Sequence, residues 1–230
     1  MSDWIMTASG VKFYPTQPRI QDIRIEDIAH GLAAVSRFGG HTREPYSVGQ
    51  HSYHASQLLE SMEGPRAALY GLLHDASEAY LGDVPRPLKH LLEFEGYRAA
   101  EQRLQEMVYL AFGLSREAEP VSLKDVDRRL LRTEQRSLMP PAAPAEDRHD
   151  VEPYTFAVVP WSFMDTRARF LARFQQLQRH LAAALNCHTC RGAIWVICPT
   201  CRGAGTESQM AIVWTRQLIR YWQAMGAHTL

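Results

Sequence analysis

From residue 25 to residue 185 apolar side chains recur at the spacing of a helix, in segments cut by glycine and proline. That pattern commits the chain to helices packed on one another, since each apolar stripe must find a partner. The first helix is expected from about Ile25 to Ser36, with Ile25, Ile28, Ala29, Leu32 and Val35 on one stripe. Ser47 reads as an N-cap, with Gln50 completing a capping box. The helix it opens should end before Gly64 and carry Ala55, Leu58, Leu59 and Met62 on its stripe. Pro65 opens the next helix, which should stop at Gly82, with Pro85 and Pro87 beyond. Further helices are expected from Gly96 to Phe112, Val121 to Met139 and Ser162 to Leu185, with a last one from Gln209 to Met225. Residues 1–24 read as a short hairpin or irregular arm, and RFGGHTREPY and PPAAPAEDRHDVEP as loops.

The expectation is an all-α bundle. Forty-six per cent of the 230 residues are apolar, enough for a core without disulfides. Acidic and basic residues number 25 each, which argues against a protein that blankets nucleic acid. A local basic patch stays open, so nucleic acid is a weakly supported partner. No apolar run reaches the ~18 residues that span a bilayer, and MSDWIMTASG lacks the features of a signal peptide. The reading is a soluble, cytoplasmic protein with no membrane partner.

Four ionisable groups break the apolar stripes. They are His51, then His74 with Asp75, then Asp127, on three different helices. A carboxylate facing apolar neighbours is costly unless paired or bound to a metal. Two imidazoles and two carboxylates suit a divalent transition metal. Singly, each has an ordinary reading: a hydrogen-bonded core histidine, or a salt-bridge aspartate beside Arg128 and Arg129. Glu78 lies one turn after His74 on the same helix and is free to hold water or hand over a proton; the rival is a solvated helix residue. Lys89 and Arg86 are candidate phosphate cations, with surface charge as the alternative, and His54 and His41 could also touch phosphate. His30, His90, His149, His180 and His228 have no such case.

The segments SVGQHSYHAS, GLLHDASEAYLGDVPRPLKH and LKDVDRRLLRTE, with IEDIAHGLAAVSRFGGHT upstream, resemble the HD superfamily of metal-dependent phosphohydrolases. They are most similar to bacterial 5'-deoxynucleotidases and to related phage enzymes that hydrolyse deoxynucleoside triphosphates. The resemblance covers roughly residues 20–140. It implies that His51, His74, Asp75 and Asp127 hold one divalent metal (manganese, cobalt, iron, nickel or zinc). It also implies acid–base chemistry at Glu78, with Asp83 in support. Arg37 matches an arginine that contacts substrate in the deoxynucleotidases, and Phe38 stands where they have tryptophan. The implied function is hydrolysis of a (deoxy)nucleotide, either a 5'-monophosphate losing phosphate or a triphosphate losing triphosphate. The metal would polarise a phosphoryl oxygen and lower the pKa of its water to roughly 7. A cyclic or alarmone nucleotide phosphodiesterase is the rival within catalysis.

CHTCRGAIWVICPTCRGAGT carries two C-x-x-C pairs, Cys187 with Cys190 and Cys198 with Cys201. Four thiolates in two knuckles fit a structural zinc with no open position; redox use of one pair is the alternative. The repeated C-R-G-A resembles the cysteine-rich module of DnaJ-type chaperones. The expected organisation is an HD domain over 1–186, a zinc knuckle over 187–206 and a C-terminal helix over 207–230. The knuckle could support a homo-oligomer or bind a partner. On a reading from another class it is the working part of a nucleic-acid-binding or adaptor protein whose HD site is vestigial.

Overall fold

The computed structural model describes residues 3–140 and 151–185, and these are mostly helical. In chain order the elements are a two-stranded antiparallel hairpin, β1 (Ile5–Met6) and β2 (Lys12–Phe13), followed by α-helices. These are α1 (Ile25–Ala34), α2 (Val48–Glu63), α3 (Pro65–Leu73), α4 (Glu78–Leu81), α5 (Arg86–Lys89), α6 (Glu95–Ala111), α7 (Leu123–Leu138) and α8 (Phe163–Leu185). The all-α reading holds. The cysteine cluster 187–201 and the expected helix 209–225 lie outside the described residues. Among the described residues no helix is long and apolar enough to cross a membrane.

The helical hairpin of α2 and α3 is the centre of the fold. Gly64 ends α2 with φ 88°, a left-handed value that glycine takes without a steric penalty, and Pro65 starts α3 at once. Gly71 lets the two helices close: a Cβ there would stand 2.9 Å from the backbone carbonyl of Ala55 and 2.7 Å from Leu59 Cδ1. Around this pair lie α1, α7 and α8. The main core joins Ile28 and Leu32 of α1, Leu69 and Leu72 of α3, Leu104 and Val108 of α6, and Phe170, Phe174 and Leu177 of α8. A second cluster sets Ala55 and Leu59 of α2 against Leu123, Val126 and Leu130 of α7. Met62, expected on the α2 stripe, is half-exposed.

Two expectations are corrected. The helix expected from Pro65 to Gly82 is broken at residues 74–77. In an unbroken helix Ser77 N–H would bond Leu73 C=O. Instead the buried amide of Gln105, on α6, takes both: its Oε1 accepts from Ser77 N at 3.1 Å and its Nε2 donates to Leu73 O at 2.7 Å. The inserted side chain ends α3 and lets α4 restart at a new angle. The capping box at Ser47 is half made. Ser47 Oγ accepts from Gln50 N, but the Gln50 side chain turns away to the chain at 159–161, donating to Val159 O and accepting from Trp161 N, both at 2.8 Å.

Candidate metal centre

His51 projects from the first turns of α2, His74 and Asp75 from the break between α3 and α4, and Asp127 from α7. His51 Nδ1 lies 2.6 Å from Glu134 Oε1, and His74 Nδ1 lies 2.9 Å from Gly71 O. A carboxylate and a carbonyl only accept, so both Nδ1 atoms carry the proton and donate. In the neutral rings both Nε2 atoms are then lone pairs, and they point at each other across 3.2 Å. Asp127 Oδ1 lies 3.2 Å from His51 Nε2. Asp75 Oδ2 lies 3.2 Å from His74 Nε2 and 3.7 Å from His51 Nε2.

Those separations fit donors sharing one ion. Donors about 2.1 Å from a metal stand roughly 3.0–3.4 Å from their neighbours. The ligand atoms of His51, His74 and Asp127 all fall within 4.8 Å of one another. Asp75 stands at the edge of this set, turned also to Arg37, whose Nη1 is 3.6 Å away. The arrangement of each imidazole fixed through Nδ1 by an outer acceptor is the second shell that metal-binding histidines use. The donor set therefore fits a divalent transition ion. The electrostatics agree. Burial opposes a charge on His74, but Asp75, with Asp127 behind it, outweighs burial and pushes its pKa up to about 9. At His51 burial and Arg37 oppose the charge, and Glu134 and Asp127 still carry the pKa upward. The site is built to hold positive charge. Burial favours the neutral forms of Asp75 and Asp127, yet the two histidines hold both carboxyls below their ordinary range. Asp127 is the most exposed of the four, its side chain 43% exposed.

Glu134, which the sequence analysis did not single out, contacts the candidate centre. It is fully buried and joins three partners. Tyr46 Oη donates to its Oε1 at 2.8 Å, His51 donates to the same oxygen, and Arg37 Nε meets Oε2 at 3.1 Å. Burial raises its pKa, but Arg37 and His51 outweigh that and keep it ionised. A signal existed: Glu134 follows Asp127 by seven residues, two turns along the same face of α7. Tyr46 comes from a loop and gave none.

Arg37 is almost fully buried between Glu134 and Asp75, and these with Asp127 override burial to hold its charge. Phe38 takes φ 56°, a strained value for an aromatic residue, and packs on the cluster of Tyr46, Leu138 and Val158. Its ring lies 5.7 Å from the Arg37 guanidinium. Glu78 is buried at the start of α4. Its Oε1 receives Lys89 Nζ at 3.3 Å, and its Oε2 has no hydrogen-bond partner among the described residues. Burial first, then Asp75 and Asp83, push its pKa well above the usual carboxylate range. Asp83 is half-buried, and burial raises its pKa too, with Arg37, Asp75 and Lys89 acting on it.

Two expected phosphate contacts are differently placed. Lys89 is tied to Glu78 and, at 2.6 Å, to Glu101 of α6, so it is a partner of Glu78 and not a free cation. His54 lies among Trp161, Phe156 and Tyr53, its Nε2 3.3 Å from the Gln50 amide nitrogen. Burial lowers its pKa to about 4, so at neutral pH it offers no charge. His41 and Arg86 are exposed. Cys187, Cys190, Cys198 and Cys201 lie outside the described residues.

No family model matches the chain. It is 41% identical over 116 residues to the uncharacterised protein RCAP_rcc00048 of Rhodobacter capsulatus, covering 48% of this chain and 59% of that protein, less than two thirds of its length. It is 38% identical over 138 residues to the uncharacterised protein YfdR of Escherichia coli K12, covering 59% of this chain and 72% of that protein. At that identity and coverage the chain belongs to the family of YfdR.

Proposed function

We propose that the chain is a metal-dependent phosphohydrolase of the HD type acting on a (deoxy)nucleotide, with His51, His74, Asp75 and Asp127 holding one divalent transition metal. The observation that carries the reading is the pair of Nε2 atoms 3.2 Å apart, each ring fixed through Nδ1, with two carboxylates against them. A bound ion there supplies Lewis-acid polarisation of a phosphoryl oxygen and makes a water acidic enough to attack phosphorus. Arg37 adds a fixed guanidinium beside Asp75, where negative charge on the phosphoryl group accumulates. Glu78 presents Oε2, buried and unpartnered among the described residues, in a setting that favours its protonated form. In that form it would donate its proton to the leaving oxygen as the P–O bond breaks, while water adds its hydroxyl to phosphorus and releases its other proton to solvent, from which Glu78 is reprotonated. Lys89 holds the other oxygen of Glu78 and fixes the carboxyl in place. By sequence the two C-x-x-C pairs at 187, 190, 198 and 201 offer four thiolates, a set that would suit a separate structural zinc.

A screen of deoxynucleoside mono- and triphosphates with the purified chain and added manganese or cobalt, read by chromatography, tests this. The expected result is hydrolysis of at least one nucleotide, lost in Asp75→Ala together with the metal. No metal-dependent hydrolysis of any of them would contradict it.

A further inference from the structure

One face of α6 carries four polar side chains, Tyr97, Arg98, Glu101 and Gln105, at the spacing of successive helical turns. Each turns to the chain between residues 73 and 91. Gln105 holds Ser77 N and Leu73 O, at the entry to α4. Tyr97 Oη donates to Gly82 O at 2.9 Å, at the exit, where Gly82 caps α4 with φ 78°. Glu101 takes the Lys89 ammonium at 2.6 Å, and the same ammonium meets Glu78 Oε1 at 3.3 Å. Arg98 Nη1 donates to the backbone carbonyls of Lys89 and Leu91, the latter at 2.8 Å. Lys89 is thus held both at its backbone and at its charge. Contacts run along α6 in the reverse order to α4, so α4 is held at both ends and its first residue, Glu78, is held through Lys89.

Leu104 and Val108 already anchor α6 in the main core. Hydrogen bonds add modest net stability beside such burial, but they fix distance and direction. Burial and Glu101 push the Tyr97 phenol above its ordinary pKa, so it keeps the proton that it donates. Burial opposes the charge on Lys89, but Glu101 and Glu78 outweigh it and push the pKa up. The outcome at Glu78 is an asymmetric carboxyl. Oε1 faces a fixed ammonium, and Oε2 is buried with no hydrogen-bond partner among the described residues.

We propose that Tyr97, Arg98 and Glu101 are positioning residues: with Gln105 they make α6 a clamp that fixes α4 and seats Lys89 on one oxygen of Glu78, leaving the other oxygen for substrate. That Glu78 acts on substrate rests on the hydrolase reading; the clamp rests on the contacts above. Without Glu101 the ammonium loses the shorter of its two ion pairs and can move onto Oε2. Without the Tyr97 hydroxyl the exit of α4 depends on a helix of four residues, too short to hold itself.

The test is backbone hydrogen–deuterium exchange on the intact chain, read beside nucleotide kinetics. The double variant Tyr97→Phe, Glu101→Gln keeps the size of both side chains and removes the hydroxyl and the charge. Its amides at Tyr80, Leu81 and Gly82 should exchange about 10-fold faster than in wild type, while those of α2 keep their rates. A circular dichroism melt checks folding, and Tyr97→Phe alone is read in the same way if the double variant does not fold. Arg103→Gln is the control. It cuts another bond of α6, from exposed Arg103 to Thr16 O at 2.9 Å, and should leave α4 exchange and turnover at wild-type values. In kinetics the double variant should lose kcat roughly 10- to 100-fold through misplacement of Glu78, with KM and metal affinity unchanged. Wild-type exchange at α4 would overturn the clamp. Equally fast exchange in Arg103→Gln would overturn its assignment to this face of α6. Faster exchange with wild-type kcat, or a loss carried by KM or by metal affinity, would overturn the positioning role. If wild type hydrolyses no nucleotide, the hydrolase reading fails, and the exchange rates alone decide whether the clamp stands.

Discussion

Glu78 and Glu134 are both buried carboxyls, and their neighbours drive them in opposite directions. Burial, Asp75 and Asp83 favour the protonated form of Glu78, whereas Arg37 and His51 keep Glu134 ionised. Glu78→Gln keeps the size and loses the exchangeable proton. It should retain metal and fold while turnover falls ~100- to 10,000-fold. Metal content and turnover measured on one preparation decide this, and near-normal turnover would remove Glu78 from the acid–base role. Glu134→Gln weakens the anchor of the His51 ring, so metal affinity should fall roughly 10- to 100-fold, read by metal titration; an unchanged affinity would contradict the anchoring role. His54 governs a pH effect. Its folded pKa is about 4 because burial opposes its charge, against roughly 6.5 in the unfolded chain. The unfolded chain therefore takes up the proton first as pH falls. The stability tied to neutral His54 is full above pH ~6.5 and is lost as pH drops towards ~4. In His54→Gln, urea unfolding followed over that window should show a shallower fall than wild type; parallel curves would contradict the burial of a neutral ring. The candidate metal ligands were legible because ionisable residues on an apolar stripe are conspicuous. Glu134 was partly legible from its spacing to Asp127. The pairing of Lys89 with Glu101 was not, since it depends on how α6 lies against α5.

At the scale of elements, the break between α3 and α4 sets the directions of Asp75 and Glu78. Continuing α3 would turn Asp75 and Glu78 as one rigid helix about the bundle. Gln105 prevents this by occupying both halves of the hydrogen bond that would continue it. Gln105→Leu keeps much of the volume and removes the amide. Unfolding free energy should drop by about 1–3 kcal/mol, the cost of a buried polar group left unpaired, and metal affinity should fall with it. Chemical denaturation and metal titration check both, and wild-type values in each would show that the break forms without Gln105. The helices themselves were legible because their apolar stripes and glycine or proline boundaries are local. The break was not, because Gln105 lies 28 residues beyond Ser77. Around His74 the sequence offers only weak local signals, the poor helix formers Asp75 and Ser77, and no glycine or proline.

The whole molecule brings the three sources of the centre together through packing that is mostly remote from it. α2 and α3 meet at Gly71, and α7 seals against α2 through Leu123, Val126 and Leu130. α8 closes the other side, where buried Arg173 reaches Ser56 and, at 2.8 Å, Glu60 of α2. The all-helical architecture was legible from periodicity, whereas the meeting of His51 with Asp127, 76 positions apart by their numbers, follows from these contacts. The central claim is that this packing builds one divalent metal site on which hydrolysis depends. Metal stoichiometry and nucleotide turnover, measured together on wild type and His74→Ala after reconstitution with manganese or cobalt, test it most directly. Circular dichroism checks that the variant stays folded. Wild type should bind one such ion outside the cysteine cluster and turn over nucleotide, and His74→Ala should lose both. A folded His74→Ala protein that binds the ion as tightly as wild type would contradict the account.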